Sequence, residues 1–148
     1  MLITLEVLAA QEKEILEITS TLRAMLSADE ARLEPVSSVV RVLVSDLCQK
    51  VRHHLDREDA ELYPDVLSHA DDQIRNLVWG FQASDRPLCR EFEQYYCRWL
   101  KCAEFILTEE FIAQTLMLLS TVEERIERER MIMLPQLQES GFLPSTLV

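Results

Sequence analysis

The chain has 148 residues with 15 Lys and Arg against 26 Asp and Glu, so its formal net charge is −11 at pH 7. Such a surface repels phosphate backbones and anionic lipids, which argues against nucleic-acid binding and membrane attachment. No apolar run approaches the roughly 20 residues needed to span a bilayer, and the start MLITLEVLAAQEKE resembles no signal peptide, so we expect a soluble cytoplasmic domain.

Apolar periodicity predicts four helices. A chain with only two glycines, rich in Leu, Glu and Arg, is also typical of an all-α protein. The helices are predicted over Leu2–Leu26, over Val36–Ser68, from Asp71 onward, and from an N-cap at Thr108 to Pro135. Pro87 should kink the third helix or start a new one with Ser84 or Asp85 near the cap.

Four amphipathic helices with short connections predict an antiparallel up-down-up-down four-helix bundle. We assign the bundle to residues 1–137 and a less regular tail to residues 138–148. The apolar residues of that tail either pack on the bundle or serve a partner.

Polar side chains interrupt the apolar stripes of three helices. His54 and Glu58 continue the stripe of Leu47 and Val51 in the second helix, because positions three or four apart share a face. Glu129 follows Val122 and Ile126 in the fourth helix, with Arg125 one turn before it, and Gln11 lies between Leu8 and Ile15 in the first. Buried polar groups need partners, so these residues should converge in the interior. Surface alternatives remain for His54 and for an Arg125–Glu129 pair.

Two segments of the chain share a sequence pattern. HLDREDAELYP, from His54, and RIERERMIMLP, from Arg125, share an apolar second residue, Arg fourth, Glu fifth and Pro eleventh. These segments resemble the hemerythrin-like family, whose pattern is H-x-x-x-E before an apolar-aromatic-Pro ending. FQASDRPLCREFEQYYCRW is similar to the third helix of some bacterial members. The resemblance implies a four-helix bundle around a non-haem di-iron centre with five histidines and two bridging carboxylates. It also implies binding or sensing of dioxygen or nitric oxide, or iron handling.

The chain keeps only part of that ligand set. By position it retains His54, Glu58 and Glu129, whereas Gln11 and Arg125 occupy histidine positions. The third helix around Trp79–Gln82 has no histidine, and the chain contains only three. We therefore predict a depleted metal site, able to hold a single iron completed by water, Glu14 or Glu61. Reversible dioxygen binding is not expected.

An alternative hypothesis makes Arg125 the central cation in place of a metal. A guanidinium is always charged and can bridge two carboxylates. Glu58 and Glu129 would then be neutralised by Arg125, while Gln11 and His54 supply hydrogen bonds. The protein would be a metal-free interaction or regulatory module acting through a protein partner or a homodimer.

Three function classes follow. The first is a non-catalytic hemerythrin-like binding or sensing protein, the second is the metal-free module, and the third is a histidine phosphotransfer bundle. The acids of RHHLDRED argue against phosphotransfer, and no hydrolase or nucleotide-binding motif appears, so we expect no enzyme. The four cysteines form no C-x-x-C pair and are predicted to be mostly buried thiols, with Cys102 the best exposed candidate.

Overall fold

A computed structural model describes residues 3–28, 35–101 and 107–144. Those residues form eight helical elements and no strand. They are α1 (Leu5–Leu26), α2 (Val36–Glu61), α3 (Tyr63–His69), α4 (Asp72–Tyr95), π1 (Tyr96–Leu100), α5 (Glu109–Arg128), π2 (Glu129–Met133) and α6 (Leu134–Glu139). The predictions for Leu2 and Cys102 lie outside the described residues.

The eight elements make four arms, which confirms the predicted all-α four-helix bundle. One arm is α1, and the others are α2 with α3, α4 with π1, and α5 with π2 and α6. No described helix is both long and apolar enough to cross a membrane.

Prolines explain two breaks that the periodicity did not predict. The predicted helix Val36–Ser68 is divided at Leu62, because Pro64 at the start of α3 has no N–H for the helical ladder. In the fourth arm, the turn before Pro135 widens into π2, and the arm continues as α6 to Glu139, so the predicted end at Pro135 is wrong. By contrast, α4 continues through Pro87, so the prediction of a new helix capped by Ser84 or Asp85 is wrong.

The apolar core is divided into two clusters by a polar middle. Along α1, Leu8 belongs to one cluster and Ile15 to the other, and Glu12 lies buried between them. In the fourth arm, buried Glu129 likewise separates Ile126, which packs in the same cluster as Ile15, from Met133, which packs in the same cluster as Leu8. The bundle therefore places one buried polar layer between two apolar ends.

The described part of the tail packs on the bundle. Leu143 is buried in the same cluster as Ile3 and Leu8, and the N–H of Leu5 donates to the carbonyl of Pro144 at 2.8 Å. Residues 138–144 thus cover the end of the bundle, as the first of the two predicted alternatives requires.

Thr108 is the N-cap of α5, as predicted, and its hydroxyl accepts a hydrogen bond from the N–H of Phe111 at 3.1 Å. We expect Thr108→Ala to lower the free energy of unfolding by about 1 kcal/mol, because the first turn loses a hydrogen-bond acceptor. Urea denaturation measures the change. The matched control is Thr121→Ala, which removes a hydroxyl bonded to the carbonyl of Met117 within the same helix and should be nearly neutral. Equal losses in the two variants would contradict the capping role.

Candidate cation centre

Five polar side chains from three arms meet in the middle of the bundle, and we call them the polar layer. They are Glu12 on α1, His54 and Glu58 on α2, Arg125 on α5 and Glu129 at the start of π2. None is more than 4% exposed. The predicted convergence of His54, Glu58 and Glu129 in the interior is therefore what the structure contains.

His54 connects α1 to the fourth arm. Its Nε2 lies 2.8 Å from Oε1 of Glu129, and its Nδ1 lies 2.8 Å from Oε1 of Gln11. With Nε2–H donating to the carboxylate, Nδ1 pairs with the Gln11 amide, which can present either its oxygen or its nitrogen. Gln11 thus fixes the orientation of the imidazole, whereas the sequence interpretation assigned Gln11 and His54 only as sources of hydrogen bonds.

Arg125 is held from two sides. Its Nε donates to Oε2 of Glu129 at 2.8 Å, and its Nη1 donates to Oδ1 of Asp85 at 2.6 Å. Nη1 also reaches the hydroxyl of Ser84 at 2.9 Å, and Nη2 donates to the hydroxyl of Tyr63 at 3.0 Å. The guanidinium is therefore a fully engaged internal cation, and not half of a surface pair.

Three of these arginine partners were not predicted as such from the sequence. The sequence analysis did not single out Tyr63, and it interpreted Ser84 and Asp85 as helix caps. A weak signal was present, because Ser84 and Asp85 lie one turn beyond Phe81 on the inner side of α4. Because α4 contains no histidine, the sequence analysis did not predict that this helix contributes to the centre.

Glu129 has one hydrogen-bond partner on each oxygen, His54 on Oε1 and Arg125 on Oε2. Burial opposes its ionisation, but the hydrogen bond and electrostatic attraction of His54, aided by Arg125, outweigh burial and lower the pKa of Glu129 to about 2. Burial likewise opposes the charge of Arg125, yet Glu129 and its other acidic neighbours raise the pKa of the guanidinium. This pair is therefore ionised throughout the neutral range.

Glu58 is placed differently. Its Oε1 lies 3.6 Å from Nη2 of Arg125 and accepts a long hydrogen bond from Tyr63 at 3.5 Å, whereas its Oε2 is buried without a hydrogen-bond partner among the described residues. Burial, with the negative charge of Glu129, raises the pKa of Glu58 well above its ordinary value. Arg125 forms an ion pair with Glu58, as the alternative hypothesis expected, but burial outweighs its attraction and favours the protonated form of this carboxyl.

Glu12 is the site residue that the sequence reasoning missed. Both of its carboxyl oxygens are buried without a hydrogen-bond partner among the described residues. Burial and the charge of Glu129 raise the pKa of Glu12 to about 9. The missed signal is the stripe Leu8, Glu12, Ile15, Thr19, Leu22, Leu26, all of which are buried.

Glu12, His54 and Glu129 could hold a cation. One ligand atom from each of these three residues lies within 4.8 Å of the others, and imidazole with carboxylates suits first-row divalent metals such as iron or zinc. The structure locates the predicted extra ligands elsewhere. Glu14 is exposed and 3.8 Å from Lys50, and Glu61 pairs with Arg57 at 2.5 Å.

The comparisons with known proteins agree with this architecture. The family model described as the hemerythrin HHE cation binding domain matches residues 4–137, which is nearly the whole chain. Neither the curated proteins nor the solved structures gave a significant match. Because the match spans all four arms and the polar layer, the chain belongs to the hemerythrin HHE cation-binding domain family.

Proposed function

We propose that the protein binds one non-haem ferrous ion in the polar layer, through Glu12, His54 and Glu129, and acts as a non-catalytic binding or sensing domain. The observation that carries the proposal is Glu12. A carboxyl group with both oxygens buried and unpartnered is costly, and a cation bound beside His54 and Glu129 would supply the missing partner.

The donor chemistry supports a single ion. One imidazole and two carboxylates are the ligand types that ferrous iron accepts in non-haem proteins. They come from α1, α2 and the fourth arm, so one ion would tie three arms together. Gln11 would orient His54 from the second coordination layer, as metal-bound histidines generally require. Bound there, the ion would supply a Lewis acid and a redox centre.

A pair of ions does not fit the residues present. The second oxygen of Glu129 is bonded to Arg125, and the guanidinium is also bonded to Asp85, Ser84 and Tyr63. A second cation would have to displace a buried arginine from four partners and would meet like charge. The family's two-iron centre is therefore replaced, in this proposal, by one ion beside one guanidinium.

Ferrous ion binding provides the direct test. Anaerobic titration by calorimetry, followed by elemental analysis, is expected to give one ion per chain. Glu12→Gln, which removes the ligand charge at nearly constant volume, should weaken binding at least about tenfold, within the range seen when metal sites are perturbed. Glu14→Gln is the matched control, because it changes an exposed residue of the same helix and should leave binding unchanged.

Three outcomes would overturn the proposal. Wild-type protein that retains no ion at micromolar concentrations would show that the layer does not bind iron. Equal affinities in Glu12→Gln and Glu14→Gln would show that iron binds somewhere else. Retention of iron with unchanged affinity in His54→Ala would lead to the same conclusion.

The second candidate function is the metal-free module acting through a protein partner or a homodimer. Protonation of Glu12 and Glu58, which their raised pKa values favour, neutralises two interior carboxyls without any ion. Arg125 neutralises the third interior carboxyl, that of Glu129. Large apolar side chains on the surface, including Trp79 at 63% and Met131 at 73% exposure, offer contacts for a partner. A colourless protein that stays metal-free after growth in iron-supplemented medium would favour this function.

A histidine phosphotransfer bundle is the weakest candidate. The imidazole of His54 is 1% exposed, so a phosphate donor cannot reach that ring without opening the bundle, and the exposed His53 is followed closely by the acids Asp56, Glu58 and Asp59.

A further inference from the structure

A cavity of about 350 Å³ lies between α2 and α4, next to the polar layer but separate from it. Its apolar walls include Val51 and Leu55 from α2 and Phe92 from α4. Leu55 directly follows His54 in the sequence, yet no member of the polar layer lines the cavity. The volume lies within the range of small-molecule sites, which are mostly apolar with a few polar groups.

All three cysteines that the structure describes line this cavity. They are Cys48 on α2, Cys89 on α4 and Cys97 on π1. Burial raises the pKa of Cys48 to about 12 and also raises the pKa of Cys89, so these two thiols are uncharged at neutral pH. Protonated thiols are poor nucleophiles and behave as polarisable apolar groups. The chemistry favours reversible binding over covalent capture.

The remaining lining indicates what such a ligand would look like. Phe92 and Tyr96 lie four residues apart on the arm formed by α4 and π1, so both rings border the cavity. Aromatic ligands gain from ring contacts and from sulfur near the ring edge. Here two rings and three sulfur atoms surround one space.

The polarity and charge of the lining further restrict the chemical class of the ligand. Ser45 and Gln49, one turn apart on α2, also line the cavity, and no hydrogen bond joins either side chain to another described residue. They can therefore hydrogen-bond a ligand. The only charged residues among the lining, Arg52 and Glu93, lie 4.0 Å apart and are both largely exposed. Their charges cancel, so the site carries no net charge to attract an ionic ligand.

We propose that the cavity between α2 and α4 is a binding site for a small neutral aromatic molecule that bears a hydrogen-bonding group. By its volume, the ligand has roughly ten to twenty non-hydrogen atoms. The ring lies against Phe92 and Tyr96 and among the three sulfur atoms, and Ser45 or Gln49 bonds the polar group. This site is independent of the proposed iron ligands.

Fluorescence with N-phenylnaphthylamine tests the site, using the full chain in the presence of a metal chelator. This probe is neutral and aromatic, carries one N–H and becomes fluorescent in apolar surroundings. We expect saturable binding of one molecule per chain with a micromolar dissociation constant. Anilinonaphthalene sulfonate, which adds an anionic group to the same framework, should bind at least about tenfold more weakly, equivalent to about 1.4 kcal/mol.

Substitutions in the lining test whether the probe binds in this cavity. Cys89→Phe fills the cavity and should weaken binding at least about tenfold, whereas Cys89→Ala keeps the space and should bind within about threefold of wild type. If Cys89→Phe fails to give a wild-type helical spectrum, Gln49→Trp provides the same test from an exposed lining position.

Different results would overturn the proposed site and its preference for aromatic ligands. Unsaturable binding, equal binding of the anionic probe, or wild-type affinity in both filling variants would each overturn the proposal. Displacement of the probe by decanol as effectively as by naphthol would overturn the aromatic preference. Because the chelator removes iron from these measurements, a failure here leaves the proposed cation centre untouched.

Discussion

Replacing Arg125 with methionine is expected to lower the free energy of unfolding by roughly 3–5 kcal/mol, because the change leaves a buried charge without its partner. Methionine retains an unbranched chain but no charge. Glu129, which is 0% exposed, would lose its bond to Nε, and Asp85 and Tyr63 would lose the guanidinium that their oxygens contact. Chemical denaturation in a chelating buffer measures the loss.

The chain contains a close control for this substitution. Arg57 also pairs through Nε with a glutamate four residues later, Glu61. That pair lies at the surface, with side chains 27% and 20% exposed. Surface ion pairs contribute little, so Arg57→Met should cost less than about 1 kcal/mol. Similar losses for Arg57→Met and Arg125→Met would contradict the idea that burial of the network determines its importance.

Arg125→His separates the two candidate functions. The family resemblance implies histidine at this position, so the substitution offers a further nitrogen ligand in place of the guanidinium. If the layer accepts iron, the variant should bind more than one ion per chain. A variant that neither gains iron nor loses stability would contradict both the one-ion arrangement and the role of Arg125 as an internal cation.

A second large effect is expected in the pH dependence of stability. The pKa of Glu12 is raised to about 9 in the folded protein, so between about pH 4.5 and 9 the folded state retains a proton that the unfolded state releases. Stability rises with pH only where the unfolded state binds more protons. The contribution of Glu12 therefore falls as the pH rises through this window.

Comparison with Glu12→Gln isolates that contribution. The amide does not titrate, and Glu58 and Glu129 are present in both proteins. In metal-free buffer, the stability of the variant relative to wild type should increase with pH, by at most about 1.4 kcal/mol per unit. Unfolding curves at pH 5, 6, 7 and 8 measure the trend. A stability difference that stays constant over this range would mean that Glu12 is already ionised in the folded protein.

The two uses of Glu12→Gln together give a consistency test. The variant should be more stable than wild type at pH 8 without metal, yet bind ferrous iron more weakly. Ligand binding stabilises the folded state in proportion to the logarithm of ligand concentration over dissociation constant. Added iron should therefore reverse the order of stability. Retention of a buried group that destabilises the metal-free protein is typical of a functional site.

Much of the bundle could be predicted from sequence because its signals are local. The 3.6-residue periodicity indicated four helical arms, and the N-cap at Thr108 was found from the residue type preceding an amphipathic run. The breaks were less predictable. Pro64 divides a predicted helix, whereas Pro87 is tolerated within α4, because the result depends on how neighbouring residues compensate for the missing N–H.

The residues of the candidate site were likewise predicted only in part. His54, Glu58 and Glu129 could be placed in the interior from their positions on apolar stripes. Glu12 was missed because the stripe of α1 was followed through Gln11, one position away, and a shift of one residue rotates the face by about 100°. Whether the metal-ligand assignment of these residues is correct stays a prediction for the titrations.

The sequence by itself determined the fold class, the helical arms and the family resemblance, and it predicted inward positions for His54, Glu58 and Glu129, since each depends on spacing along one helix. Only the tertiary structure decided which groups share a hydrogen bond, an ion pair or a cavity. Asp85 meets Arg125 across 40 residues of sequence, and His54 meets Glu129 across 75. Such contacts depend on the rotation and separation of packed helices, which local periodicity does not specify.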